Sequence, residues 1–263
     1  MQLQIDGRAA FIYTGGKPLE RALPTVVFIH GAEHDHSVWA LQSRYLAHHG
    51  HGVLAVDLPG HGRSAGPALT RIEALADWIE AVLAALDVAP AALIGHSMGS
   101  LIALECAARY PQRVAKLALI GSTLPMRVTD ELLNATRDDE AAAQHMVNVW
   151  SHSGLAHFPG NPGPGFWVPG MNLRLMQRQA PGVMHADFAA CNAYTNGLAA
   201  CAAIRCPTLI VLGKRDLMTP PRGAKELLQA LPQARVLQLE GAGHAIMAEK
   251  PDELLDALCG FLV

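Results

Sequence analysis

The apolar and polar positions change period along the chain, and the changes divide it into elements. Residues 2–6 ("QLQID") and 9–15 ("AAFIYTG") are two short runs that read as a strand hairpin. Residues 24–30 ("PTVVFIH") form a β-branched apolar run that ends in His-Gly. Residues 37–50 repeat apolar positions at helical spacing and close on Gly50. Residues 52–62 begin as a strand and run into a glycine-proline turn, and 70–88 predict a helix capped by Thr70. A strand at 91–96, a helix at 100–110 stopped by Pro111, and a strand at 114–122 follow. Strand and helix thus alternate with short links. The strands are nearly continuous apolar runs, as expected of a parallel sheet covered on both faces.

The alternation stops at about Leu124 and resumes after Ile204. Between them lie helical segments around a Pro/Gly-rich stretch, "FPGNPGPGFWVPG", with no convincing strand. Strand, helix, strand and helix then return as "CPTLIVLGKRD", "PRGAKELLQAL", "ARVLQLEGAGH" and "PDELLDALCGFLV". The expectation is one core domain, residues 1–123 and 205–263, interrupted by a helical lid at 124–204.

Composition narrows the setting. Of 263 residues 51% are hydrophobic, enough for a sizeable core, and a formal net charge of −3 gives no electrostatic reason to expect nucleic acid or an anionic membrane as partner. The start shows no signal-peptide pattern, and no apolar run reaches the length of a membrane span. The five cysteines are scattered and form no CxxC pair. Free thiols in a reduced, cytoplasmic protein that acts on a small molecule are expected. Monomer and homodimer both stay open.

The candidate chemistry begins at Gly95-His96-Ser97-Met98-Gly99, a G-x-S-x-G pentapeptide set between a strand and a helix. Two readings fit it: a nucleophile held in a strained turn, or a serine capping an ordinary helix. A serine nucleophile needs a histidine base, and the base needs an orienting carboxylate. Asp216 follows the strand "TLIVLG" and His244 follows "RVLQLE". The three occur in the order Ser, Asp, His, each at the C-terminal end of a predicted parallel strand, where open α/β sheets place their sites. An oxyanion would need donors, and the backbone N–H groups of Met98 and Ala32 are placed to supply them.

At this point the sequence resembles the α/β-hydrolase superfamily, in its lid-bearing bacterial branch of esterases, lactonases and carbon–carbon bond hydrolases. The resemblance rests on "HGAEHDHSVW", "DLPGHGRS", "GHSMG", "GKRD" and "GAGH" and spans nearly the whole chain outside the lid. It implies a mostly parallel eight-stranded sheet flanked by helices. It also implies an acyl-enzyme on Ser97, with no cofactor and no metal. The same triad could serve ester, thioester or lactone hydrolysis, carbon–carbon cleavage, or a slow-turnover ligand sensor. A serine at position 97 argues against relatives that use an aspartate nucleophile. The loop "AEHDH" departs from relatives with small or aromatic residues there and suggests a polar acyl-side pocket.

For that pocket the candidates are His34, His36, Trp39, Trp150, Trp167 and Met218; Trp150 and Trp167, with Phe158, Phe166 and Met171, fit packing within the lid equally well. His34, Asp35 and His36 offer too few ligands for a metal site. Asp57 reads as the holder of its glycine turn, and His96 as a residue packed behind the serine. Cys106 reads as core. His48, His49 and His51 read as the solvated end of a helix.

Overall fold

A computed structural model describes residues 1–88, 90–157 and 167–263. The pocket candidates Phe158 and Phe166 lie outside the described residues. The strands are β1 (Gln2–Ile5), β2 (Arg8–Tyr13), β3 (Thr25–Ile29), β4 (Gly52–Val56), β5 (Ala91–His96), β6 (Val114–Ile120), β7 (Thr208–Gly213) and β8 (Arg235–Leu239). They form one eight-stranded sheet in the order β1-β2-β4-β3-β5-β6-β7-β8. β1 and β2 pair antiparallel, β2 joins β4 antiparallel, and every later pairing is parallel.

Alternation along each strand sorts side chains to two faces. Val27, Ile29, Leu54, Val56, Leu93, Leu117, Leu119, Ile210 and Leu212 share one buried cluster with α2 (Ile72–Ala85) and α3 (Met98–Arg109). Val26, Phe28, Val53, Ala55, Ile94, Ala118, Ile120, Leu209 and Val211 face the other. There they meet Leu46 of α1 (Ala40–His48), Ile246 of α10 (Ile246–Glu249), and Leu254 and Leu258 of α11 (Pro251–Leu262). The central strands β3, β4, β5 and β7 are buried along their whole length, with odd and even positions nearly all apolar, so both faces are covered.

Between β6 and β7 the chain leaves the sheet. It builds α4 (Asp130–Asp138), α5 (Glu140–Ser151), α6 (Val168–Met176), α7 (Val183–Ala193) and α8 (Gly197–Ala203), with no strand among the described residues. Leu132, Ala143, Val147, Met176, Met184 and Phe188 form a separate apolar cluster there. α9 (Lys225–Ala230) links β7 to β8. No helix of the described residues is long and apolar enough to cross a membrane.

Two local expectations need correction. α2 begins at Ile72, with Arg71 still extended at φ −142° and no side-chain cap, so Thr70 is not its cap. α10 follows His244 closely and escaped the periodicity because one turn cannot display a period.

Candidate active site

Four parallel strands deliver the site: β3, β5, β7 and β8 each end beside it. At the end of β5 the chain turns sharply at Ser97, with φ 52° and ψ −120°, a conformation that costs a non-glycine residue about 1–3 kcal/mol. Its side chain makes no capping hydrogen bond to α3, so the helix-cap reading of this serine fails. The turn survives because its neighbours are small. A Cβ on Gly95 would sit 2.1 Å from the Gly99 carbonyl oxygen, and one on Gly99 would sit 2.3 Å from that of Ile29. Ser97 N–H donates to the Ile120 carbonyl (2.9 Å), hanging the turn on β6. Ser100 Oγ, within 2.5 Å of the Ser97 carbonyl oxygen and 2.7 Å of Ser122 Oγ, braces it from below.

Asp216 follows β7 and is 2% exposed. Its Oδ1 accepts the N–H groups of Met218 and Thr219, each at 2.8 Å. Its Oδ2 accepts Thr219 Oγ1 and the Nδ1–H of His244, each at 2.7 Å. Burial alone would raise this carboxyl, yet the adjacent His244 imidazole and the Thr219 donors hold it below the ordinary carboxylate range. With the proton of His244 fixed on Nδ1, its Nε2 keeps a lone pair, the form a base requires.

The His244 loop is held by partners that sequence reasoning missed. His244 and Ala245 donate their N–H groups to the Ser151 carbonyl at the end of α5 (2.8 and 3.0 Å). Buried Glu249, on α10, accepts the N–H of Gly243 (3.2 Å) and both the N–H and Oγ of Ser153 (3.1 and 2.5 Å). Burial pushes the Glu249 carboxyl up against those hydrogen bonds. Thr219, three residues past the acid, also lies 3.2 Å from His244 Nδ1. The one sequence signal for it was a threonine spaced to close an Asp turn.

The loop after β3 approaches the serine from another side. A Cβ on Gly31 would lie 3.2 Å from Ser97 Cβ. The buried His30 accepts Leu58 N–H at Nε2 (3.1 Å) and donates from Nδ1 to the Gly31 carbonyl (2.8 Å). This fixes the plane of the Gly31–Ala32 peptide, whose N–H belongs to Ala32. Burial and the neighbouring His61 bring His30 down to about 4, so it is neutral at pH 7. Met98 is the first residue of α3, where an N–H lacks an intrahelical acceptor, and its side chain is core.

The "AEHDH" loop is polar, but most of its polarity points away from a substrate. Glu33 sits at φ 53° and donates its N–H to Asp187 Oδ2 on α7 (2.8 Å). Its Oε1 accepts Gln144 Nε2 on α5 (2.8 Å). Burial, aided by the nearby Glu140 and Asp187 carboxylates against the Gln144 hydrogen bond, pushes Glu33 up to about 9. Asp35 caps the turn into α1 by accepting Ser37 N–H (2.8 Å) and pairs with Arg178 of the α6–α7 link (2.5 Å). Its carboxyl lies at about 2: burial would raise it, and the Ser37 donors and Arg178 more than offset that.

A cavity of about 520 Å³ opens beside His96 and His244 and runs between α6 and the α1 and α10 side of the core. Val38, Leu41, Val168, Met171, Leu175 and Met247 give it an apolar wall, and Arg174 stands on its lining. Of the pocket candidates His34 lines it, its Nε2–H held by Asn172 Oδ1 (2.8 Å) and its ring brought by burial to about 4. Met171, weighed as lid packing, lines it too.

The other pocket candidates do not line this cavity. His36 turns toward β2, against Phe11 and Tyr13, and donates from Nδ1 to Asp57 Oδ1 (2.7 Å). Trp39 is fully buried against Phe28, with ring centroids 5.0 Å apart, because it faces the sheet from the turn before α1. Trp167 is 67% exposed and its ring lies over Gly170. Trp150 and Met218 pack against the apolar cluster of the helical segment and do not line this cavity.

Asp57 holds its turn through Oδ1, which accepts from His36, and Oδ2, which accepts Arg63 N–H (2.9 Å). Asp35, His36 and Asp57 bring ligand atoms within 4.8 Å of one another. Each is engaged in the hydrogen bonds above, which a cation would have to displace.

Comparison with known proteins matches the fold. The family described as alpha/beta hydrolase fold matches residues 24–251. A pimeloyl-[acyl-carrier protein] methyl ester esterase of Chromobacterium violaceum is 33% identical over 253 residues, covering 91% of this chain and 94% of that one. Among solved structures, Est816, an N-acyl homoserine lactone degrading enzyme, superposes with a TM-score of 0.85 at 25% identity, covering 99% of this chain and 100% of that one. An enol-lactonase from Burkholderia xenovorans LB400 shares the fold at a TM-score of 0.87 and 24% identity, over 100% and 99% of the two chains. With an eight-stranded sheet in this order and a family match over residues 24–251, the chain belongs to the alpha/beta hydrolase fold family and is a hydrolase of that family.

Proposed function

We propose that this chain hydrolyses a small carboxylic ester, thioester or lactone through an acyl-enzyme on Ser97. The observation that carries the reading is the buried Asp216–His244 pair, 2.7 Å apart with the proton on Nδ1, beside a serine in a strained turn. Among the described residues the Ser97 hydroxyl makes no hydrogen bond, so in this reading its contact with His244 Nε2 forms when substrate binds. His244 Nε2 takes the hydroxyl proton as Ser97 attacks. Asp216 stabilises the imidazolium, and the leaving alcohol or thiol takes the proton back. The N–H groups of Ala32 and Met98 bind the oxyanion in the tetrahedral state. Water activated by His244 then releases the acid.

The helical segment at 124–204 serves as a lid, with its α6 forming a wall of the cavity. The likeness to a methyl ester esterase at 33% identity supports an ester ahead of other bonds. The test is labelling by a fluorophosphonate with the site mapped by mass spectrometry, followed by a chain-length panel of p-nitrophenyl esters and lactones. Labelling at Ser97 and loss of turnover in Ser97→Ala are expected. Undiminished turnover by a folded Ser97→Ala protein would overturn the reading.

A further inference from the structure

Asp187 is a fully buried carboxylate on α7, outside the core sheet and remote in sequence from Ser97 and from loop 31–36. One oxygen, Oδ2, accepts two hydrogen bonds at 2.8 Å, from Glu33 N–H and from His61 Nε2–H. The other, Oδ1, is buried with no hydrogen-bond partner among the described residues. A buried, half-satisfied carboxylate is costly, and a helix needs none for its own packing. The structure maintains this one where it touches the loop that leads out of β3.

We infer that Asp187 is a positioning residue that holds the Ala32–Glu33 peptide so that the Ala32 N–H stays aimed at the reacting oxygen. The inference rests on the serine-hydrolase reading above. Two peptide planes flank the Ala32 Cα. His30 fixes the first through the Gly31 carbonyl. Asp187 fixes the second through the Glu33 N–H. Glu33 is left-handed at φ 53°, a conformation an L residue leaves unless it is held. Without Asp187 the second plane is free to turn, and the first loses its brace.

His61 completes the clamp. Its Nδ1 lies 3.1 Å from the Pro59 carbonyl oxygen and its Nε2 2.8 Å from Asp187, so both nitrogens face acceptors and both carry protons. Burial would lower this histidine, yet the Asp187 carboxylate and the Pro59 carbonyl raise it. The turn that carries His61 is tied to the helical segment a second time, through Gly62 N–H to Gln179 Oε1 (2.9 Å).

The test compares Asp187→Ala, Asp187→Asn and the milder Asp187→Ser on p-nitrophenyl butyrate, with the affinity of a trifluoromethyl ketone as transition-state mimic and urea unfolding for stability. In Asp187→Ala, kcat should fall about 30-fold with KM within about twofold, and the ketone should weaken in proportion to kcat/KM. Asp187→Asn keeps an oxygen for Glu33 N–H and should recover kcat to within a few-fold while stability stays reduced. Asp187→Ser should fall between them and serves if the alanine variant does not fold. Wild-type kcat in a folded Ala or Ser variant would overturn the inference. So would a loss of activity that follows the unfolded fraction alone, or an Asn variant no better than Ala. Turnover that survives in Ser97→Ala would instead remove the reading beneath it, so the two failures are distinguishable.

Discussion

His96 donates its Nε2–H to the main-chain carbonyl of His244 at 2.9 Å, so the residue beside the proposed nucleophile holds the proposed base by its backbone. Their rings lie 4.6 Å apart, and burial with the nearby His244 keeps His96 well below its usual range, hence neutral. His96→Leu removes one of the two donors to the His244 carbonyl, which keeps the Ile246 N–H (2.8 Å), costing about 0.5–1.5 kcal/mol and loosening the His244 loop. Steady-state kinetics with thermal melting should show kcat down about tenfold, with recovery in His96→Gln, whose amide can still donate. Equal activity in Leu and Gln variants would show that the contact does not position the base.

Asp216→Asn should keep the fold, since an asparagine Oδ1 still accepts from Met218 and Thr219. It should lower kcat by roughly 10⁴ by leaving His244 in the wrong tautomer. The Asp216 carboxyl is lowered in the fold, so its contribution to stability is present above the unfolded value of 3.8 and is lost as pH falls below it. Urea midpoints between pH 2 and pH 5 should therefore slope less steeply in the variant than in the parent.

Glu33 carries the opposite sign. Its carboxyl rises from 4.5 to about 9 on folding, so at pH 7 the folded chain holds a proton that the unfolded chain has released. Stability is then lost as pH rises from about 4.5 to about 9. Glu33→Gln removes that loss while retaining an acceptor for Gln144. The variant should match the parent near pH 4.5 and exceed it by roughly 2–4 kcal/mol at pH 8 in urea titrations. Parallel pH curves for the two proteins would refute this.

Glu249→Ala strips the buried donors of Gly243 and Ser153 of their acceptor. A stability loss of about 2–4 kcal/mol is expected by urea titration, with a fall in kcat at conditions where the protein is fully folded. An unchanged kcat would mean that the His244 loop keeps its place through the Ser151 carbonyl and His96 without Glu249.

Much of this was legible in the sequence because it is local or periodic. The apolar strands and the turn at Ser97 sit within short windows, and Asp216 and His244 each stand just after a readable strand. The fold that follows from them puts Asp216 and His244 2.7 Å apart. The braces were not legible, since Glu33 meets Asp187 and Ser153 meets Glu249 across distances in the chain that no period encodes. Within the helical segment, amphipathic spacing predicts helices but not which polar residue reaches back to the core. Trp39 shows the same limit: a tryptophan at the entrance to a helix reads alike whether it faces a pocket or, as here, the sheet.

The segment between β6 and β7 is bonded to the core through Gln144, Asn172, Arg178, Gln179 and Asp187, and all five reach Glu33, His34, Asp35 or Gly62 directly. That wiring sets a rule for transplantation. A foreign helical segment spliced in at residues 124 and 204 to change selectivity would arrive without the groups that loop 31–36 is built to meet. It would leave Glu33 and His61 buried and unmatched. A graft that carries over Gln144, Asn172, Arg178, Gln179 and Asp187 at their spatial positions keeps the contacts beneath it intact, so the exchangeable part of this segment is the apolar cavity wall of α6 at Val168, Met171 and Leu175.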